Sequence, residues 1–133
     1  MPWDDSYDTG VDEIDKQNFE LIYRAELMMN TEDKDIRLTQ LHFFEKLVKE
    51  YFALEQRLHN ECYYFDANWH KEIHEIYIVK LQQIKKHLAE EENSHENEEF
   101  FKSQVFEFLK DHISYHDQSF ACFYCIIGEG MRL

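Results

Sequence analysis

The stretch DANWHKEIHEIYIVKLQQIKKHLAEEE, from Asp66 to Glu92, contains neither proline nor glycine and repeats apolar residues at helical spacing. It predicts one long amphipathic helix that packs its apolar face against other helices. Within it, His70 and His74 are four residues apart, so both imidazoles project from the same face and can bind one metal ion. Taken alone, such a pair is a weak signal, because it occurs more often by chance on a solvated surface. Its meaning depends on the rest of the chain.

The composition is typical of a single helical domain. The chain has 133 residues with one proline and three glycines, and glutamate, leucine, lysine and phenylalanine are abundant. A formal net charge of −14 argues against nucleic acid and anionic membrane surfaces as partners, since both need a basic face. There is no apolar run of membrane-spanning length, and the acidic N-terminus lacks the features of a signal peptide. We therefore expect a cytoplasmic protein whose three cysteines are reduced.

Hydrophobic periodicity predicts an all-α fold. After an irregular arm over residues 1–11, apolar residues recur at three- and four-residue spacing in long segments. The predicted helices span about 12–30, 32–62, 66–92, 95–116 and, as a short C-terminal helix, 118–127. Thr31 is the predicted N-cap of the second helix. Four long helices with short connections predict an antiparallel up-down-up-down four-helix bundle, forming one domain over residues 1–133.

Polar residues interrupt the apolar stripes of these helices at positions where the period requires a hydrophobic side chain. The interrupting residues are Asn18, Tyr51, Glu55, His70, His74 and His112, and Asp117 follows the predicted end of the fourth helix. Burying each without a partner would cost about 2–7 kcal/mol, which in sum is comparable to the stability of a whole domain. These residues must therefore bind one another or a shared metal ion, as inward-facing side chains do in metal-binding bundles.

The order and spacing of these residues resemble the hemerythrin family, whose members are non-haem iron four-helix bundles that bind dioxygen. The chain looks like a bacteriohemerythrin, a single-domain protein, over nearly its whole length. The matching features are Trp3 in the arm, Ile14-Asp15 at the opening of the first helix, the HxxxH motif at His70 and His74, and a His-Ile-x-x-x-Asp motif from His112 to Asp117.

The resemblance implies a metal site that retains five of the family's seven protein ligands. His70, His74 and His112 would be the imidazoles on one iron, while Glu55 and Asp117 would be the carboxylates that bridge two irons. The family's two histidines on the second iron fall on Asn18, in Ile14-Asp15-Lys16-Gln17-Asn18, and on Tyr51, in Tyr51-Phe52-Ala53-Leu54-Glu55. Both substitutions affect the same iron, so one half of the site is intact.

The chemistry of the remaining donors predicts a mononuclear centre. Three neutral imidazoles with one or two carboxylates suit one Fe(II), Mn(II) or Zn(II) ion, and two carboxylates neutralise its charge. Glu55 is then a ligand, or a hydrogen-bond acceptor that Tyr51 holds beside the ligands. Two alternatives stay open. In one, two irons bind with Tyr51 as a phenolate and Asn18 as a weak amide ligand; in the other, the bundle binds no metal and is an interaction module for a signalling partner.

The predicted function follows from the number of electrons available. In the family, two irons each give one electron to dioxygen, whereas a single iron supplies only one. We therefore predict sensing of dioxygen, nitric oxide or redox state, or one-electron redox chemistry, rather than simple dioxygen carriage, and no enzymatic reaction is assigned. The residues left out of the site are the histidines His42, His59, His87 and His95, predicted to be solvated, His116, and the cysteines Cys122 and Cys125, predicted to be buried apolar residues.

Overall fold

The helices of the protein are seen in a computed structural model that describes residues 7–90, 103–117 and 120. Three long helices come first: α1 (Asp12–Met29), α2 (Lys34–Glu61) and α3 (Ala67–Glu90). The C-terminal helical segment consists of a π-helical turn (Ser103–Glu107), the short helix α4 (Phe108–Asp111) and a second π-helical turn (His112–Asp117). No strand occurs among these residues, which confirms the all-α prediction and is consistent with a helical bundle.

The connection between α1 and α2 corrects one predicted cap. Asp33, not Thr31, is the N-cap of α2, and its carboxylate accepts a hydrogen bond from the backbone N–H of Ile36 at 3.0 Å. The Thr31 hydroxyl instead donates to the carbonyl oxygen of Leu27 at 2.7 Å, at the end of α1. The prediction was wrong because the end of the preceding helix already engages the Thr31 side chain, while Asp33 lies directly before the first helical residue.

The end of the arm is attached to α1 through a carboxylate. Asp15 accepts hydrogen bonds from the Thr9 N–H at 2.8 Å, the Thr9 hydroxyl at 2.7 Å and the Gly10 N–H at 3.2 Å. Gly10 has a φ of +85°, a left-handed conformation that glycine adopts without steric cost. The arm before residue 7, with Trp3, lies outside the described residues, as do residues 91–102 and, except for Phe120, the predicted helix 118–127.

Two apolar clusters lie at different heights along the helices. The larger, the apolar layer, is built mainly from Leu21, Ala25, Met28, Leu41, Phe44, Val48, Phe52, Tyr77, Leu81, Ile84, Leu88 and Leu109. The smaller, the end cluster, contains Val11, Ile14, Leu58, Tyr64 and Phe120. Because Asn18 lies between Ile14 and Leu21, and Glu55 between Phe52 and Leu58, the polar residues form a layer between the two clusters. In the described part of the chain, no helix is both long and apolar enough to cross a membrane.

Candidate metal centre

Four side chains of this polar layer form a compact group of potential metal ligands. They are Glu55 from α2, His70 and His74 from α3, and His112 from the second π-helical turn. Each offers one ligand atom, and these four atoms all lie within 4.8 Å of one another. All four side chains are buried, and each is no more than 3 % exposed. The structure therefore brings together four of the ligands predicted from the sequence.

The imidazole nitrogens converge on the carboxylate of Glu55. The Nε2 atoms of His74 and His112 lie 3.2 and 3.4 Å from its Oε2 atom. The Nε2 atom of His70 lies 3.5 Å from its Oε1 atom. For metal–ligand bonds of about 2.1 Å, neighbouring donor atoms around one ion are about 3.0–3.4 Å apart. The three nitrogen–oxygen distances are thus at or slightly above the separation expected between donor atoms in a filled site.

Asp117 adds a second carboxylate at one edge of the group. Its Oδ1 atom lies 3.1 Å from Nε2 of His112 and 3.6 Å from Nε2 of His70, and the residue is fully buried. The wider π-helical turn accounts for its position, because i→i+5 hydrogen bonding brings residues five apart to neighbouring positions on one side of the helix. The helical period predicts Asp117 beyond the end of a regular helix, whereas Asp117 lies inside this π-helical turn.

The two residues at the substituted positions are in different environments. Asn18 is buried, and its side-chain amide donates a hydrogen bond of 2.9 Å to the Oδ2 atom of Asp117. Tyr51 is half-buried and packs beside the apolar layer; burial and the carboxylates of Glu20 and Glu50 raise the pKa of its phenol. Among the described residues no hydrogen bond joins Tyr51 to the four ligands. Its role as a ligand, or as the residue that holds Glu55, stays a prediction.

Burial and mutual contact shift the protonation of the acidic groups. Burial, together with the charge of Asp117, raises the pKa of Glu55 well above its usual range. Burial also raises the pKa of Asp117, but the positive charge of His112 outweighs it and holds that pKa well below its usual value. Burial lowers the pKa of His112, and the two carboxylates more than reverse this and raise it to about 10. Without a metal ion, positive charge on His112 therefore compensates negative charge on Asp117.

The other two imidazoles are neutral without any metal. Burial, followed by the charge of His112, lowers the pKa of His74 far below its usual value. Burial lowers that of His70 as well, and this outweighs its contact with Asp117. Since a metal ion binds the neutral imidazole, these two side chains are already in the protonation state that ligation requires.

Residues around the ligands orient them. The ring of Phe52 stacks on His74 with centroids 3.7 Å apart and planes 7° apart. The amide group of Gln56 lies 3.3 Å from Nδ1 of His74. With the amide turned so that its oxygen accepts the Nδ1–H hydrogen bond, Nε2 of His74 is left unprotonated and free to bind an ion. The ring of Phe108 lies parallel to that of His112 with centroids 6.3 Å apart.

His59 is the residue of the layer that the sequence analysis missed. It was predicted to be solvated but is fully buried, and its ring centroid lies 4.4 Å from that of His70. The ligand rings are spaced similarly, with centroids 4.5 Å apart for His70 and His74 and 4.9 Å apart for His70 and His112. Burial lowers the pKa of His59 to about 3. The available signal was its spacing, because residues four apart on a helix share a face and His59 follows Glu55 by four.

The remaining predictions for histidines and cysteines differ in outcome. His42 is exposed, as predicted, and its Nδ1 atom lies 3.1 Å from Nζ of Lys85, while His87 is half-buried. Cys62 is a free thiol and half-buried. His95, the side chain of His116 and the pair Cys122 and Cys125 lie outside the described residues.

Comparisons of the chain with protein-family models, with characterised proteins and with solved structures find no match. The resemblance to hemerythrins therefore stays a prediction from the motifs. The group formed by Glu55, His70, His74 and His112 can hold a metal ion on its geometry alone.

Proposed function

We propose that the protein is a hemerythrin-like iron protein that binds one metal ion per chain in the group formed by Glu55, His70, His74 and His112. The observation that carries the proposal is the convergence of these four buried donors, whose ligand atoms lie within 4.8 Å of one another. The proposal includes an antiparallel up-down-up-down order of four helices and the cytoplasmic location expected from the sequence.

Buried carboxylate oxygen atoms that accept no hydrogen bond favour a bound ion over a metal-free polar cluster. In the described part of the chain, the Oε1 atom of Glu55 and the Oδ1 atom of Asp117 are buried and accept no hydrogen bond of good geometry. Each such buried group costs about 1–3 kcal/mol, and more when it is charged. A divalent ion would give both oxygen atoms a partner, and it would replace the proton on His112 as the positive charge that compensates the carboxylates. Ion binding therefore removes a cost that the metal-free cluster must bear.

The contact between Asn18 and Asp117 favours one ion over two. A second ion bridged by Asp117 would need both of its carboxylate oxygens. The Asn18 amide already donates to Oδ2, at 2.9 Å. Tyr51, the other substitute ligand, is half-buried. Burial and the charges of Glu20 and Glu50 raise the pKa of its phenol, which disfavours the phenolate form. The geometry thus favours the mononuclear interpretation over the di-iron alternative.

A single iron restricts the chemistry to one-electron steps. Iron suits a donor set of imidazoles and carboxylates, although manganese and zinc accept the same ligands. A single iron would lose one electron when the centre is oxidised, and it could supply only one electron to a small diatomic molecule such as dioxygen or nitric oxide. We therefore propose that the protein senses one of these molecules or the redox state, or transfers single electrons, rather than carrying dioxygen.

The proposal is tested by metal content. Protein expressed in iron-replete medium and purified without chelators is analysed by elemental mass spectrometry, together with its visible spectrum before and after exposure to air. We expect about one iron per chain in the wild type, as one mononuclear centre requires. The variant His74→Ala should lose the iron, and His42→Ala, at an exposed position of α2, should retain it.

Each other outcome selects an alternative. Wild-type protein that binds no iron, manganese or zinc even after reconstitution would contradict the proposal and favour an interaction module. Two irons per chain, with the charge-transfer bands of a bridged pair, would favour the di-iron interpretation. Tyr51→Phe would then be the next variant to analyse.

A further inference from the structure

The proposed metal centre does not account for the buried imidazole of His59, whose ring nitrogens lack hydrogen bonds to the other described residues. In the described part of the chain neither of its ring nitrogens has a hydrogen-bond partner, and the side chain is 0 % exposed. Leaving a buried donor and a buried acceptor unpaired costs about 1–3 kcal/mol each. A leucine or methionine beside the end cluster would fill similar space without that cost. His59 therefore indicates a polar partner beyond the described residues.

Among the described residues, polar atoms without hydrogen bonds gather on one side of the candidate metal centre, the polar side, and the ring of Phe52 covers another, the aromatic side. On the polar side, His59 lies against His70, and the two carboxylate oxygens without hydrogen bonds, Glu55 Oε1 and Asp117 Oδ1, lie 3.5 and 3.6 Å from Nε2 of His70. On the aromatic side, the ring of Phe52 covers His74 at a centroid distance of 3.7 Å. A small polar molecule that reaches the ion would find the unpaired nitrogen atoms of His59 on the polar side, where the rings of Tyr64 and Phe120 also pack against that imidazole, at centroid distances of 5.0 and 4.2 Å.

The position of His59 suits contact with a molecule bound to the ion better than contact with the ion itself. His59 is not among the four residues whose ligand atoms lie within 4.8 Å of one another. A ligand atom bound at about 2.1 Å from the ion, and accepting a hydrogen bond of about 2.8 Å, brings its donor within about 5 Å of the ion. His59 packs against the ring of His70, one of the four donor residues, with the ring centroids 4.4 Å apart.

We propose that His59 donates a hydrogen bond to a small exogenous ligand bound to the metal ion on the polar side of the centre. The ligand class is a small anion or diatomic molecule that accepts a hydrogen bond. An imidazole carries at least one N–H group in either protonation state, so His59 is always able to donate. This inference rests on the proposed metal centre and adds the place where its ligand binds.

Azide serves as the probe in the test. The ferric protein is titrated with azide, and binding is followed by the charge-transfer absorption of the complex. We expect His59→Leu to retain one iron per chain and to bind azide about tenfold more weakly, which corresponds to the loss of one hydrogen bond. His59→Gln, which keeps an N–H donor, should recover part of the affinity. His42→Leu, the same change at an exposed position of α2, should leave it unchanged.

The outcomes separate this inference from the proposed function. Unchanged azide affinity in His59→Leu, or iron-loaded wild type that does not bind azide, would overturn the role of His59 and leave the metal centre intact. Loss of iron from His59→Leu, with helix content retained by circular dichroism, would identify His59 as a ligand and also overturn it. If His59→Leu does not fold, His59→Met is used in its place. Absence of metal from the wild type would instead contradict the proposed function.

Discussion

The apolar layer and the polar layer are built by the same helices with the same periodicity, but they are stabilised in different ways. In the apolar layer, Leu41, Phe44 and Val48 of α2 are fully buried and need only close packing with their neighbours. Two and three turns further along α2, Glu55 and His59 are also buried but have polar atoms without hydrogen bonds. Protein atoms alone complete the apolar layer, whereas the polar layer keeps buried polar atoms without hydrogen bonds among the described residues, and the proposed ion would satisfy them.

The largest loss of stability is expected from a substitution in the apolar layer. Leu41→Ala should lower the free energy of unfolding by about 2.7–5 kcal/mol, because it removes buried methyl groups and leaves a cavity. Urea denaturation measures the loss, which should be the same with and without iron, and the iron content of the folded protein should not change. Ile36→Ala, at an exposed position of α2, is the control and should cost less than about 0.5 kcal/mol. A loss that depends on iron would show that the two layers are not independent.

Removal of the metal is expected to have the next largest effect, confined to the polar layer. At a free metal concentration about 1,000 times the dissociation constant, binding adds about 4 kcal/mol to the free energy of unfolding. Treatment with a chelator should therefore lower the thermal midpoint of the wild type, measured by circular dichroism. In His74→Ala, which lacks a ligand, the chelator should have no effect. Equal midpoints for treated and untreated wild type would refute metal stabilisation of this layer.

A smaller loss is expected when the Asn18 hydrogen bond is removed. Asn18→Leu takes away the donor to Oδ2 of Asp117 and should cost about 1.5–3 kcal/mol, the usual range for a hydrogen bond to a charged group. Urea denaturation of the metal-free protein gives the value. Asn60→Leu, at an exposed position of α2, is the matched control. A cost no greater than that of the control would mean that the contact contributes nothing to the polar layer.

The smallest effect concerns an ion pair between α2 and α3, away from the metal centre. Glu45 lies 2.8 Å from Lys85 and 3.2 Å from Lys49. Burial raises the pKa of Glu45, but the two lysines outweigh it, so the pKa in the folded protein is below its usual value. The stabilisation is therefore present above the unfolded pKa and is lost as the pH falls through the folded pKa.

Glu45→Gln tests this pH dependence. The variant should be about 0.5–1 kcal/mol less stable than the wild type at pH 7, and the difference should shrink as the pH is lowered below about 4. Urea denaturation at several pH values measures it. A difference that grows toward low pH would have the wrong sign and would reject the ion pair as its source.

Helix positions were largely accessible from the sequence because periodicity and capping are local. The segment predicted at 32–62 is seen as Lys34–Glu61, and the discrepancy at its start arose because Thr31 and Asp33 are both good caps. The conformation of the C-terminal helical segment could not be predicted from periodicity and capping. Asp117 reaches the four donor residues through a π-helical turn, and a pattern based on the α-helical period does not detect such a turn.

The sequence by itself determined that polar residues interrupt four apolar stripes, and it identified Glu55, His70, His74, His112 and Asp117 as the residues most suited to a metal ion. Only the tertiary structure decided that Asn18 binds Asp117, that Tyr51 is half-buried beside the apolar layer and that His59 is buried against His70. The physical reason is that periodicity defines the face of a helix on which a residue lies. Which side chains meet depends on the rotation, height and rotamers of the helices that pack against it.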